Sequence, residues 1–225
     1  MGIKRQRGFT LLEALVVVAI VLLVAAMTAP RMLAIMDATK LRTSAQAYAG
    51  LLQVARSKAV SDNDVYQVLV DNTLVPPVAY VDLNHNRQVD PAEPAVLLAN
   101  PIIVTDTDPA LPQGFDTTAL LNVIPLHDSD SPMVSDGAGG IAAGTAIPGL
   151  AFNERGLPCQ RQTANGNCSN NLVGGGLPPT VGYVTYFRYT LRNGALAWAA
   201  ISITPAGRVK TWSYQGKVGG KDIWR

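Results

Sequence analysis

The chain has 225 residues, and its 18 Lys and Arg against 16 Asp and Glu leave a net charge of +2. Once an apolar N-terminal stretch is set aside, roughly 195 residues remain, ample for one domain with its own core. The only histidines, His85 and His127, lie far apart in sequence, and no Gly-x-Ser-x-Gly, phosphate loop or His-Glu-x-x-His run occurs, so the usual enzyme signatures are absent and no catalytic role is expected.

The chain opens on a basic segment, Met1 to Gly8, in which Lys4, Arg5 and Arg7 stand without an acid. Such a start keeps the N-terminus cytoplasmic and sends the following apolar run across a membrane. From Phe9 to Ala29 the only ionisable side chain is Glu13. Some twenty apolar residues make about 30 Å of helix, enough for a bilayer core. An ordinary secretory signal has a shorter apolar core, about 7–15 residues, before a small-residue cleavage site. Here that site would have to fall at Ala25-Ala26-Met27 or Thr28-Ala29-Pro30. A carboxylate facing lipid alone costs on the order of a few kcal/mol, so Glu13 calls for a cationic partner. Its place near the start of the span also admits a plainer account, in which the acid snorkels to the interface.

The constellation of a short basic leader ending in Gly8, then Phe9, Glu13, an unbroken apolar helix and Pro30 resembles the N-terminal methylation segment of type IV pilins and type II secretion pseudopilins. That resemblance implies cleavage by a prepilin peptidase after Gly8, methylation of the new terminus at Phe9, and pairing of Glu13 with the terminal amine of a neighbouring subunit. It also implies an inner-membrane assembly platform, single-pass insertion with a periplasmic domain, and a place in a periplasmic pseudopilus or a surface pilus. The pairing is physically sensible, because a carboxylate and an ammonium held in lipid attract strongly and each is costly alone. Loss of the leader would leave 15 basic against 16 acidic residues, a near-neutral mature chain, since Lys4, Arg5 and Arg7 go with it.

Beyond Pro30 the helix is expected to continue, kinked rather than stopped. Leu33, Met36, Leu41, Ala45, Tyr48, Leu51, Leu52, Ala55 and Ala59 follow a helical spacing with one apolar face, and Ser61-Asp62-Asn63-Asp64 ends the run. Strands are expected at 65–70, 73–81, 95–98, 102–105, 119–124 and 147–153, with Pro76-Pro77 interrupting the second. A C-terminal antiparallel meander follows from 181–191, 195–203 and 208–214, turned at Asn193-Gly194 and at Pro205-Ala206-Gly207. Residues 125–146, rich in Gly, Asp, Ser and Pro, read as a long loop. The fold class is α+β: a long N-terminal helix packed on an antiparallel β-sheet domain. Its parts are a leader (1–8), a transmembrane half-helix (9–29), an amphipathic half-helix (30–60) and a soluble domain (61–225).

The AFNERG segment at 151–156 and ISITPAGRVK at 201–210 resemble minor pilins and pseudopilins of the GspH/FimT type. The resemblance implies a minor subunit supporting protein secretion or pilus biogenesis; the abundant major pilin is the competing member of the same superfamily. In some FimT-type pilins a C-terminal Gly-Arg-x-Arg element contacts DNA during natural transformation, and Gly207-Arg208-Val209-Lys210 resembles it, with Lys where the second Arg stands. Lys210 keeps a phosphate contact but loses the planar fork. Arg188 to Arg225 holds seven basic residues against Asp222, while Phe9 to Phe187 holds eight against fifteen acids, so positive charge is concentrated at the C-terminus. A solvated, edge-protecting strand explains the same lysines and arginines.

Two further stretches bear chemistry. Cys159 and Cys168 close CQRQTANGNC, and an even count in an exported domain favours a disulfide. In DLNHNRQVDPAE, residues 82–93, Asp82, Asn84, Asn86, Gln88, Asp90 and Glu93 occupy the ligand positions of an EF-hand-like loop, a candidate for calcium. Arg87 stands where such a loop has glycine, and an Asx-rich turn between strands accounts for the same residues. No cofactor is otherwise required.

Overall fold

The computed structural model describes residues 11–105, 112, 126–128, 150–161, 168–169, 182–192 and 194–225. The chain forms two compact units, residues 1–39 and 40–225. A single α-helix, α1 (Leu11–Asp62), contributes to both.

In the first unit the apolar run of α1 is exposed on every side, Leu11, Leu12, Leu15, Val18 and Leu22 alike. A helix apolar all round is made to be enclosed by something other than water. In the second unit the helix is one-sided. Leu41, Ala45, Tyr48, Leu52, Ala55 and Ala59 are buried at the expected spacing, and so is Leu51. The helix stops where the Asx cluster predicts. Asn63 takes a left-handed φ of 55°, and the Asp64 N–H donates to the Ala59 carbonyl at 3.1 Å, a Schellman-type close.

Behind the helix come β1 (Tyr66–Asp71), β2 (Val78–Asp82), β3 (Ala95–Leu97), β4 (Ile102–Thr105), β5 (Leu126–Asp128) and β6 (Leu150–Phe152). They are followed by β7 (Pro158–Arg161), β8 (Cys168–Ser169), β9 (Gly182–Thr190), β10 (Leu196–Ile203), β11 (Val209–Val218) and β12 (Lys221–Trp224). One sheet has the order β3-β2-β1-β6-β7-β8, the other β12-β11-β10-β9-β4, with β5 on β9. Among the described residues, all pairings are antiparallel except β5 with β9. This is the α+β arrangement expected from the sequence.

Strand alternation decides which side chains meet the helix. Val68, Val70, Ala79, Val81 and Phe152 of the first sheet and Phe187, Tyr189, Ala199, Ile201 and Ile203 of the second share one core with α1. Tyr48 sits edge-on to Phe187, with ring centroids 5.3 Å apart. Burial raises its hydroxyl well above the ordinary tyrosine value, against a smaller lowering from Thr185. The other face of the second sheet gathers Val184, Tyr186, Trp198, Ala200, Trp212 and Trp224. There the Trp212 indole N–H donates to Ser202 Oγ at 2.7 Å.

The departures from expectation have local causes. β2 begins only at Val78, because two consecutive prolines precede it and proline gives no donor to a ladder. Residues 126–128, expected within a loop, pair with β9. The strand expected at 119–124 lies outside the described residues, as does most of the 125–146 loop. β11 runs on to Val218 and returns through Gly219-Gly220, both at positive φ, into β12, which the sequence reading did not anticipate.

Candidate functional site

Gly8 and Phe9 lie outside the described residues. Glu13 lies on the described part of α1, two residues after Leu11. Among the described residues no helix is long and apolar enough to cross a membrane. The apolar run begins at Phe9, outside the described residues. In sequence the run continues to Ala29.

The 82–93 loop brings its six predicted residues into one hydrogen-bonded turn. Asp82, fully buried at the end of β2, accepts the backbone N–H of Asn86 at 3.1 Å and of Arg87 at 3.2 Å on its two carboxylate oxygens. Asn84 Oδ1 accepts the Asn86 N–H, and Asn86 Oδ1 accepts the Gln88 N–H. The amides of Asn84 and Asn86 both donate to Asp90 Oδ2, at 2.6 and 2.7 Å. Glu93 closes the loop by accepting the Leu83 N–H at 2.8 Å. Its partial burial raises its pKa above the ordinary carboxylate range, against the lowering from backbone donors.

Arg87 makes the sharp turn without glycine, at φ 60°, and its carbonyl accepts the Tyr80 hydroxyl at 2.7 Å. These oxygens have the hardness a calcium ion requires. Each carboxylate is nonetheless already engaged by donors of the loop. Among the described residues no group of three or more His, Cys, Asp and Glu is placed to hold a metal ion. His85, also at positive φ, stacks on Tyr66 and places Nε2 3.4 Å from Asp64, fastening the loop to the end of α1. The sequence reading gave His85 no role.

Arg208 and Lys210 lie at the turn between β10 and β11. Gly207 takes φ 77°, its N–H donates to the Thr204 carbonyl at 2.7 Å, and the Arg208 N–H donates to Thr204 Oγ1. Both basic side chains are exposed, and the Lys210 ammonium stands 3.5 Å from the centroid of the Trp212 ring, a cation–π contact. Register separates them from the other cations of the sheet. Lys210 pairs with Ser202 and Arg188 with Trp198, four residues apart on β10, which is about 13 Å along the strand. Arg192 sits in the turn at the opposite end of β10. Of these four cations, only Arg208 and Lys210 lie together, and they form the candidate anion contact.

The two loose motifs meet on the helix. Gly156, at φ 71°, and Gly207 both lie against Arg56 of α1, where an added Cβ would come within 3.2 and 3.1 Å of its side chain. Arg56 Nη1 donates to the Gly207 carbonyl. In the sequence, Arg56 stands next to Ala55 on the buried stripe, which is the available signal for this contact. Near β7 and β8, Cys159 is fully buried and disulfide-bonded, and neither cysteine of the chain is free.

Residues 3–29 match the family model of the prokaryotic N-terminal methylation motif. The chain thus carries the N-terminal methylation segment, the feature it shares with type IV pilins and pseudopilins. The match ends with that segment. No curated protein and no solved structure matches the chain.

Proposed function

We propose that this protein is a structural subunit, a minor pseudopilin or pilin of the GspH/FimT type, serving a type II secretion pseudopilus or a type IV pilus. The observation that carries the reading is the methylation motif at residues 3–29, continued by a helix that packs on a β-rich unit. In this reading the peptidase cuts between Gly8 and Phe9, Phe9 is methylated, and the run to Ala29 crosses the inner membrane once with the β-rich unit in the periplasm. Glu13 then pairs with the Phe9 amine of a neighbouring subunit, so that two charges costly alone in lipid set the register between copies. Cys159 and Cys168 close the β7–β8 hairpin as a disulfide. No catalysis and no cofactor is required for this role.

The reading is tested in cells that hold a pilin-type assembly machinery. The mature chain is expected to begin at methylated Phe9 by mass spectrometry, and Glu13→Gln to insert in the membrane yet fail to enter filaments. An uncut N-terminus, or filament incorporation of Glu13→Gln at the wild-type level, would overturn it. A second reading, a DNA-binding minor pilin, is favoured by the exposed Arg208 and Lys210 at one turn.

A further inference from the structure

β3 and β4 follow one another in the chain, and among the described residues each ends the strand order of its sheet. The outer edge of β4 is closed. Val104 donates its N–H to Asn72 Oδ1 at 3.4 Å and its carbonyl accepts Asn72 Nδ2 at 3.2 Å, so a side-chain amide stands where a neighbouring strand would be. The Ile102 N–H, on the same side by alternation, donates to the Ala99 carbonyl at 2.8 Å.

β3 has no such closure. The Val81 N–H donates to the Pro94 carbonyl at 2.9 Å and the Leu98 N–H to the Pro77 carbonyl at 2.8 Å, with Val96 opposite Ala79 between them. In an antiparallel ladder the alternate residues 94, 96 and 98 therefore bond to β2, and the N–H and C=O of Ala95 and Leu97 turn away from the sheet. Both residues are exposed, Leu97 at 69 %, and no hydrogen bond to those outward groups is made among the described residues. Proteins commonly blunt such an edge with charge. Here residues 94–101 carry none, and the acid before them, Glu93, is turned back onto the Leu83 N–H.

This edge is complementary to itself. A two-fold rotation about Val96 sets Ala95 opposite Leu97 of a second copy, and Leu97 opposite its Ala95. These are the residues whose N–H and C=O face outward, so each pair exchanges both bonds, as a symmetric interface requires. The side chains match as well, leucine beside alanine, with no like charges opposed. Pro94 offers no N–H and limits the added ladder to the length of β3. Such a contact is far short of the roughly 800 Å² per partner of a stable interface, so the pairs it forms are short-lived.

We propose that β3 is a self-pairing edge, through which two copies of this chain join antiparallel with Ala95 of one against Leu97 of the other. The inference rests on the unit of residues 40–225 alone and stands apart from the anchored-subunit reading. Its test traps brief pairs by their register. Full-length Ala95→Cys and Leu97→Cys proteins with different tags are mixed in detergent micelles and mildly oxidised, with Ser61→Cys, also at an exposed position, as reference. Neither native cysteine is free to compete. Opposed residues in the proposed register have Cα atoms about 5.5 Å apart, within disulfide reach, whereas 95 with 95 or 97 with 97 stand diagonally at about 7–8 Å.

Disulfide dimers joining 95 to 97 are expected severalfold above those joining 95 to 95, 97 to 97, or either position to 61. Equal yields for all combinations, or no dimer at all, would overturn the self-pairing edge. An excess of the 95–95 and 97–97 dimers would show copies meeting in another register and overturn the one proposed.

Discussion

Arg56 of α1 donates a hydrogen bond from Nη1 to the carbonyl of Gly207 at 3.1 Å, which ties the helix to the β10–β11 turn. Gly207 holds φ 77°, and a methyl group there would stand 3.1 Å from Arg56 Cζ and from the Gly156 carbonyl. Gly207→Ala therefore meets backbone strain and a close contact together. It is expected to destabilise the protein by about 1–3 kcal/mol, and Arg56→Ala by about 1–2 kcal/mol. Because both act on one contact, the double variant should lose less than the two losses added. Urea denaturation of the four proteins measures this; an unshifted midpoint for Gly207→Ala would contradict the clamp.

Asp82 is the residue on which the 82–93 loop turns. Its carboxylate accepts two backbone N–H groups at a fully buried position; Asp82→Ala takes this acceptor from the Arg87 N–H and leaves Asn86 its bond to Asn84 Oδ1, so it is expected to destabilise the protein by about 1–3 kcal/mol. Asp82→Asn keeps one acceptor oxygen and should lose less. Since the loop bonds are internal, the wild-type midpoint is expected to be the same in chelator and in millimolar calcium. A midpoint raised by calcium would show an ion bound preferentially to the folded loop.

Glu93 gives the loop a pH dependence of definite sign. Burial raises its folded pKa above the ordinary carboxylate value, against smaller lowering contributions from the Leu83 and Asp90 backbone. Just above that ordinary value the folded chain holds more proton at Glu93 than the unfolded chain does. The stability from this group therefore falls as pH rises from the unfolded toward the folded pKa. Relative to Glu93→Gln, which cannot titrate, the wild type is expected to lose stability as pH rises through the ordinary carboxylate range and just above it. Denaturation of both proteins across that range checks it, and a relative gain by the wild type would reverse the assignment.

The sequence made the second half of the helix legible, because the stripe from Leu41 to Ala59 repeats at the 3.6-residue period of a helix that buries one face. The β9–β10–β11 meander was equally plain, with long alternating runs between glycine turns. Less could be read where strands are short. β7, β8 and β12 hold two to four residues, too few for a period of two to be distinguished from loop composition. Of the functional surface, the N-terminal segment was readable since its chemistry is local in sequence. The meeting of Arg56, Gly156 and Gly207 was not, as it joins positions a hundred residues and more apart. Register, unknown until the sheet is formed, also decided that Arg188 stands away from Lys210.

The pair at the β10–β11 turn carries the last prediction. The Arg208 backbone is fixed to Thr204 in both directions, its N–H donating to Oγ1 and its carbonyl accepting the Thr204 N–H at 3.0 Å. Lys210 is held over Trp212, so less side-chain freedom is lost when an anion approaches. Two cations reach at most two phosphates, and phosphate contacts carry no sequence information. Duplex DNA is therefore expected to bind weakly and without sequence preference, with log K falling against log salt at a slope of about −1.8. An electrophoretic shift at low salt that disappears in the Arg208→Ala/Lys210→Ala variant would bear this out. Folding should be untouched, because both side chains are exposed, and an unaltered urea midpoint in the double variant is the control. No shift at low salt would leave the turn to its structural task, holding Gly207 against Arg56.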